Sequence, residues 1–220
     1  MIGEKNMKIY ADPISVNSRK VIAGLKLMGI DYTLEHIDYF QGQHKSPKYL
    51  AINPNGSMPS MVDDDFTLWE SNAILQYAAD KYNKAEYYPT DIKKRADINR
   101  WLLWESSSWF PSCYIYLVEN VVKPLLEGSP DASILAAQDD NFHLLAGILD
   151  DRLSKSNWLC GNTPTIADVV VAAPMHLHGL QKLPLETHPN LVAWMTERLE
   201  KLPCWEETYV GPGFTLERNN

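Results

Sequence analysis

Residues 7–82 alternate between strand-like and helix-like patterns, whereas everything after residue 91 reads as helix. That change of grammar limits what the chain can fold into more than any other feature. Residues 7–11 are expected to form a short strand. Residues 15–28 follow with helical spacing at Val21, Ile22, Leu25 and Met28, and Gly29 suits the position just past a helix end. Residues 32–39 read as a second strand and 46–51 as a helical turn or two. Residues 59–62 and 66–69 flank the acidic turn "DDD" as a hairpin. Residues 70–82 return to helical spacing through Ala73, Ile74, Tyr77 and Ala78.

The order βαβ followed by ββα is the thioredoxin-like pattern. The stretch "NKAEYYPTD" (83–91) reads as a connection to the helical part. The expected organisation is α/β plus all-α: a thioredoxin-like domain at 1–84, a linker at 85–92 and a helical bundle at 93–220. In the helical part, 92–127 is long, rich in Trp and Tyr, and contains Pro111, which should kink it. Further helices are expected at 133–154, 165–178 and 190–200, with a short piece near 203–208. "TPTIAD" (163–168) holds a capping box, with Thr165 as N-cap and Asp168 three residues on, which is a structural feature.

Several classes of function are disfavoured. The formal net charge is −8 without a long basic run, so nucleic acid and anionic membrane are poor partners. No stretch approaches the ~20 apolar residues needed to span a bilayer, and "MIGEKNMKIY" lacks the apolar core of a signal peptide. Cys113, Cys160 and Cys204 are few, odd in number and widely spaced. They suggest reduced thiols in a cytoplasm and no zinc site. His176 and His178, two apart, point to different faces and suggest no metal.

Four motifs remain. In "NPNGSMPSM" (53–61), a cis Met58-Pro59 bond ahead of a strand would present the Met58 backbone to an extended, peptide-like ligand. In "LWESNAI" (68–74), Glu70 and Ser71 open a helix. They would serve as plain capping, or as a site where helix amides and the Ser71 hydroxyl take a carboxylate and Glu70 an ammonium. "GQHKS" (42–46) offers His44 and Lys45 to a second carboxylate. "ADPISVNSRKV" (11–21) offers Ser15, Asn17, Ser18 and Arg19 at the start of the first helix. One of its serines caps that helix. Its hydroxyl could also hold a reactive anion.

These motifs together, with "FTLWESNAILQYAADKY" and "TPTIAD", resemble the cytosolic glutathione transferases over essentially the whole chain. The theta and phi classes, which use a serine, are the most similar. The resemblance implies glutathione as co-substrate and a small hydrophobic electrophile as second substrate. It implies no metal cofactor, a cytoplasmic location and a homodimer. Ser15 would stabilise the glutathione thiolate, with Ser18 as the alternative, and Arg19 would orient the site or make a structural ion pair. Glu70 and Ser71 would hold the γ-glutamyl end, the Met58 backbone the cysteinyl unit, and His44 and Lys45 the glycine carboxylate. Ser57 departs from the family, where glutamine or lysine is commoner. Asp97 or Asn99 would reach the γ-glutamyl amine of a partner subunit. Ile14, Trp109, Cys113 and Tyr116 are expected to line the electrophile pocket, with the tail near Phe214 as a lid. The same thiolate could instead reduce peroxides, remove halides, isomerise or cleave ethers. A non-catalytic binding module is the other alternative. No cysteine stands at the first helix, which disfavours thiol–disulfide exchange by the protein itself.

Overall fold

The computed structural model describes residues 7–210; Phe214 lies outside them. Four strands form one sheet: β1 (Met7–Ala11), β2 (Thr33–His36), β3 (Ser60–Asp63) and β4 (Phe66–Trp69), in the order β2-β1-β3-β4. β1 and β2 are parallel, and the other pairs are antiparallel. The crossover from β1 to β2 is α1 (Val16–Leu27), and the one from β2 to β3 contains the short α2 (Pro47–Leu50). The α3 helix (Ser71–Lys81) follows β4. This is the thioredoxin-like arrangement, and a helical part follows it.

Local chemistry accounts for the boundaries. α1 ends in a Schellman motif: Gly29 N–H donates to Lys26 O and Ile30 N–H to Leu25 O, both at 3.0 Å. The left-handed φ of +61° at Gly29 is what a glycine provides without steric cost. Further back on the same helix, α1 and α3 touch closely. A β-carbon at Gly24 would lie 2.5 Å from Leu75 Cδ2.

The helical part begins with α4 (Ile92–Trp104) and α5 (Phe110–Leu117), joined without a break by a π-helical turn, Glu105–Trp109. A second π-helical turn, Val118–Val122, leads into α6 (Lys123–Leu125). Each of these turns ends just ahead of a proline-bearing turn, at Pro111 and Pro124. A wider turn absorbs the donor that proline lacks, so the chain passes through Pro111 as helix rather than stopping there. α7 (Ala132–Ser154), α8 (Ile166–Ala172), α9 (His178–Gln181), α10 (Pro189–Ala193) and α11 (Pro203–Glu206) complete the order. Among the described residues no helix is long and apolar enough to cross a membrane.

The capping box forms as the sequence implies. Asp168 Oδ2 accepts from Thr165 N–H at 2.8 Å, and its Oδ1 accepts from Leu159 N–H at 2.9 Å. Burial nonetheless pushes the Asp168 carboxyl up to about 6 against these bonds.

One continuous apolar core runs from the sheet into the helices. It includes Met7, Ile9, Leu25 and Ile74 on one side, and Trp101, Trp109, Phe142 and Trp194 on the other. Two buried charges on α1 cross the same boundary. Lys20 Nζ lies 2.8 and 2.9 Å from the two carboxylate oxygens of Glu105, and both side chains are buried. Burial pulls the Lys20 ammonium down, and Glu105 opposes that. Among the described residues Arg19 makes no ion pair. Its Nε donates to Thr208 O at 2.8 Å and its Nη2 to Trp205 O at 3.0 Å, with the guanidinium 4.0 Å over the Trp205 ring. Burial pulls Arg19 down to about 10.

Two predictions follow from these buried groups. Lys20→Met leaves Glu105 buried and unpaired, and should cost about 3–5 kcal/mol; adding Glu105→Leu should recover most of the loss in urea denaturation. His176 is buried, and its Nδ1 donates to Ala173 O at 3.0 Å. Burial and the nearby Arg19 charge hold it down to about 3. Below pH ~6.5 the unfolded chain therefore takes up a proton that the folded chain refuses, and stability falls as pH drops from ~6.5 toward ~3, by up to about 1.4 kcal/mol per pH unit. His176→Gln should flatten that slope in urea midpoints measured at pH 7, 6 and 5.

Candidate active site

Strand register gathers the motif residues. Tyr10 pairs with Ser60, and Ser60 with Trp69, while Ala11 pairs with His36. The ends of β1, β2 and β4 and the start of β3 thus share one edge of the sheet. Ser15 follows β1, Met58-Pro59 precedes β3, Glu70-Ser71 follows β4, and the segment with His44 and Lys45 follows β2. Neighbouring strands lie ~4.8 Å apart, so these four segments are adjacent.

Ser15 caps α1. Its Oγ accepts from Ser18 N–H at 3.3 Å and its hydroxyl donates to Ser18 Oγ at 2.6 Å. The Met58-Pro59 peptide is cis. The segment before it is fixed by two side chains: Tyr49 OH donates to Ser57 O at 2.7 Å and Asn53 Nδ2 to the same oxygen at 2.8 Å. Ser57 itself is exposed.

At α3 the helix N-terminus carries no side-chain cap. Its first amides therefore keep free hydrogens, and Ser71 stands buried among them. Glu70 occupies φ +77°, ψ +110°, a region that a side chain rarely adopts, and the strain concentrates at this junction. Glu70 is exposed, and it lies close enough to Lys20 to favour that ammonium electrostatically. Asn72, one residue on, donates to Leu102 O at 3.0 Å and to Ser106 Oγ at 2.9 Å, tying this end of α3 to α4.

Lys45 Nζ donates to Gly56 O at 2.9 Å. Gly56 has φ +58°, and a β-carbon there would meet that ammonium at 2.9 Å and His44 O at 3.1 Å, so a side chain here would be both strained and crowded. His44 stacks on Tyr39, with ring centroids 4.8 Å apart and planes 8° apart. Asp12, which the sequence motifs did not single out, joins the two loops beside Ser15. It is buried, with Oδ1 accepting from Ile14 N–H at 3.1 Å and Oδ2 from Tyr39 N–H at 2.9 Å. An aspartate just after a strand and before a proline was the only signal for it. Asn99 is occupied within its own chain, accepting from Gln76 Nε2 at 2.7 Å and Tyr88 OH at 2.9 Å, and Asp97 pairs with Arg100.

The expected pocket wall needs correction. Trp109, Cys113 and Tyr116 do not face a cleft; all three are buried in the core. Trp109 Nε1 donates to Val171 O at 3.0 Å, and its ring lies 5.3 Å from that of Phe142, which Tyr116 also meets at 5.2 Å. Positions 109, 113 and 116 form one helix face, and that face turns toward α7 and α8. The neighbouring face carries Phe110 and Tyr114, stacked at 5.3 Å and 16°. Phe110 packs on a small cluster of Val16, Leu117 and Ala173, beside the start of α1. Tyr114 is 42 % exposed, and burial together with the nearby Tyr39 phenol raises its pKa. Ile14, Tyr39 and Phe40 are also exposed.

The three thiols form no disulfide, and Cys113 and Cys204 are buried. Burial raises all three, Cys160 to about 12 and Cys204 to about 11, so none is a ready nucleophile at neutral pH. Among the described residues no group of three or more His, Cys, Asp or Glu could hold a metal.

Comparison with known proteins gives a consistent result. Residues 14–81 match the family model for the glutathione S-transferase N-terminal domain, and residues 116–203 match the C-terminal domain. A probable glutathione S-transferase GSTF2 from Oryza sativa subsp. japonica is 31% identical over 199 residues, covering 89% of this chain and 92% of the relative. Among solved structures, glutathione transferase F7 from Populus trichocarpa has a TM-score of 0.83 at 28% identity, covering 92% of this chain and 97% of the other. The theta class glutathione S-transferase from the citrus canker pathogen Xanthomonas axonopodis pv. citri, solved with glutathione bound, also has a TM-score of 0.83 at 28% identity, covering 94% and 98%.

The assignment of helix faces is directly testable. Trp109→Ala should cost about 3–5 kcal/mol in urea denaturation, whereas Tyr114→Ala should cost less than about 1 kcal/mol. A larger cost for Tyr114→Ala than for Trp109→Ala would reverse the two faces.

Proposed function

This chain belongs to the glutathione S-transferase family and is an enzyme of glutathione conjugation; from that premise we propose that Ser15 stabilises the thiolate of bound glutathione for attack on small hydrophobic electrophiles. The observation that carries this reading is the meeting of four elements at one sheet edge: Ser15, the Met58 backbone, the uncapped start of α3 and the His44–Lys45 loop. A tripeptide with a carboxylate at each end and a thiol between matches their chemistry. The α3 amides and Ser71 take the γ-glutamyl carboxylate, and Glu70 its ammonium. Met58 pairs with the cysteinyl backbone, while Lys45 and His44 serve the glycine carboxylate.

The energetics suffice without a general base. A hydrogen bond to a charged group contributes ~1.5–3 kcal/mol, which lowers a thiol pKa from ~8.5 by about one to two. The N-terminal end of α1 acts in the same direction. The thiol proton leaves to water, and the sulfur lone pair attacks the electrophile. Phe110, Tyr114 and Ile14 offer that electrophile an apolar, partly aromatic wall. The raised pKa values of Cys113, Cys160 and Cys204 weigh against disulfide exchange by a protein thiol.

Residues 1–84 act as the glutathione-binding unit in this reading, and the protein works as a cytoplasmic homodimer. Ile92 and Leu103, 80 % and 72 % exposed on one face of α4, are suited to a subunit contact.

Ser15→Ala should raise the pKa of bound glutathione and lower the conjugation rate with a chlorodinitrobenzene-type substrate by about 10–100-fold near pH 6.5. The bound thiolate is followed by its ultraviolet absorbance across pH. An unchanged titration in the variant would remove Ser15 from this role.

A further inference from the structure

The mechanism above uses one serine, yet α1 places a second hydroxyl directly behind it. Ser18 is fully buried. Its Oγ lies 2.6 Å from Ser15 Oγ, and among the described residues its side chain hydrogen-bonds nothing else. Its backbone N–H also points at Ser15 Oγ, at 3.3 Å.

A hydroxyl has one hydrogen and two acceptor positions. As the side chains stand, Ser15 spends its hydrogen on Ser18. It then has none to give to a sulfur anion. If Ser15 simply turned its hydrogen outward, two oxygens would face each other at 2.6 Å with no proton between them, a repulsive arrangement. The buried Ser18 hydroxyl has one hydrogen and no competing acceptor among its described contacts, so that hydrogen fills the gap.

We propose that Ser18 is a positioning residue which reverses its hydrogen bond with Ser15 when a thiolate binds, donating to Ser15 Oγ so that Ser15 can donate to sulfur. The inference rests on the role assigned to Ser15 above. No proton is transferred and no covalent bond changes; two hydroxyl rotors turn together. In the reversed state Ser15 Oγ accepts from both the Ser18 N–H and the Ser18 O–H. Each donor polarises the Ser15 hydroxyl and strengthens the bond it makes, since chained hydrogen bonds reinforce one another. The switch conserves the Ser15–Ser18 contact, so thiolate binding need not break the helix cap. Ser18 touches neither substrate, and its effect passes only through Ser15.

The test is a pH titration of bound glutathione thiolate in the wild-type enzyme, Ser18→Ala, Ser15→Ala and the double variant. Ser18→Ala keeps the Ser18 N–H and favours helix, so it tests the hydroxyl alone. It should weaken the bound thiol's acidity by about threefold while leaving the glutathione dissociation constant at high pH nearly unchanged. Ser15→Ala should weaken it by about tenfold or more. The double variant should match Ser15→Ala, because a relay has no effect once its recipient is gone. If Ser18→Ala titrates like wild type while Ser15→Ala does not, the relay is wrong and the Ser15 mechanism stands. If Ser18→Ala adds a further loss on top of Ser15→Ala, Ser18 acts independently and the relay is equally wrong. If Ser15→Ala itself leaves the titration unchanged, the underlying mechanism fails, and the relay with it.

Discussion

Lys20 and Glu105 are a charged pair that neither side chain can do without. Each is almost wholly removed from water, and an unpaired charge at that depth would cost several kcal/mol. Lys20 lies on α1, five residues after the helix cap, and Glu105 begins the π-helical turn that continues α4. The pair therefore fixes the first helix of the α/β part against the longest helix path of the other part. Asn72 adds a neutral bond from the start of α3 to the same place. The head of α1 with Ser15, the head of α3 with Ser71, and Phe110 just beyond Glu105 all belong to elements tied together at this junction.

The sheet supplies the second constraint. A parallel pair at one side of the sheet and an antiparallel hairpin at the other bring four separate loops to one edge. The loops are then locked by hydrogen bonds from side chains to backbone. Asp12 joins the loop after β1 to the loop after β2, Tyr49 and Asn53 hold the Ser57 carbonyl, and Lys45 reaches the Gly56 carbonyl. A rigid frame of this kind suits a ligand recognised mainly along its backbone and at its two ends.

Much of this was legible in the sequence because it follows local rules. Strand and helix order came from periodicity, the end of α1 from Gly29, and the capping box from Thr165 and Asp168. The motif serines and acids could be placed at helix starts for the same reason. What was not legible depended on long-range geometry. Asp12 has no motif, and its role exists only because β2 returns beside β1. Arg19 looked like an ion-pairing group, yet its partners are carbonyls nearly 190 residues away in the chain. Trp109, Cys113 and Tyr116 were assigned to the cleft because they flank Pro111. Proximity to a proline says nothing about which side of a helix is wet, and here Tyr114 is exposed with Phe110 half-buried beside it.

The π-helical turn at Glu105–Trp109 explains that error more deeply. Trp101, Glu105, Trp109, Cys113 and Leu117 recur every fourth residue, and all five are buried. On an ideal α-helix each such step drifts by about 40°, and four steps would swing the last position by about 160°, nearly to the opposite side. A wider turn unwinds the spiral and cancels part of that rotation. The inserted residue thus acts as a phase adjuster: it keeps Trp101, Trp109 and Cys113 in one continuous core, and only at Leu117 has the row turned onto the separate cluster with Val16 and Ala173. A relative that lost one residue from this turn would rotate every side chain beyond it by about 100°, Phe110 and Tyr114 included, with no substitution at all.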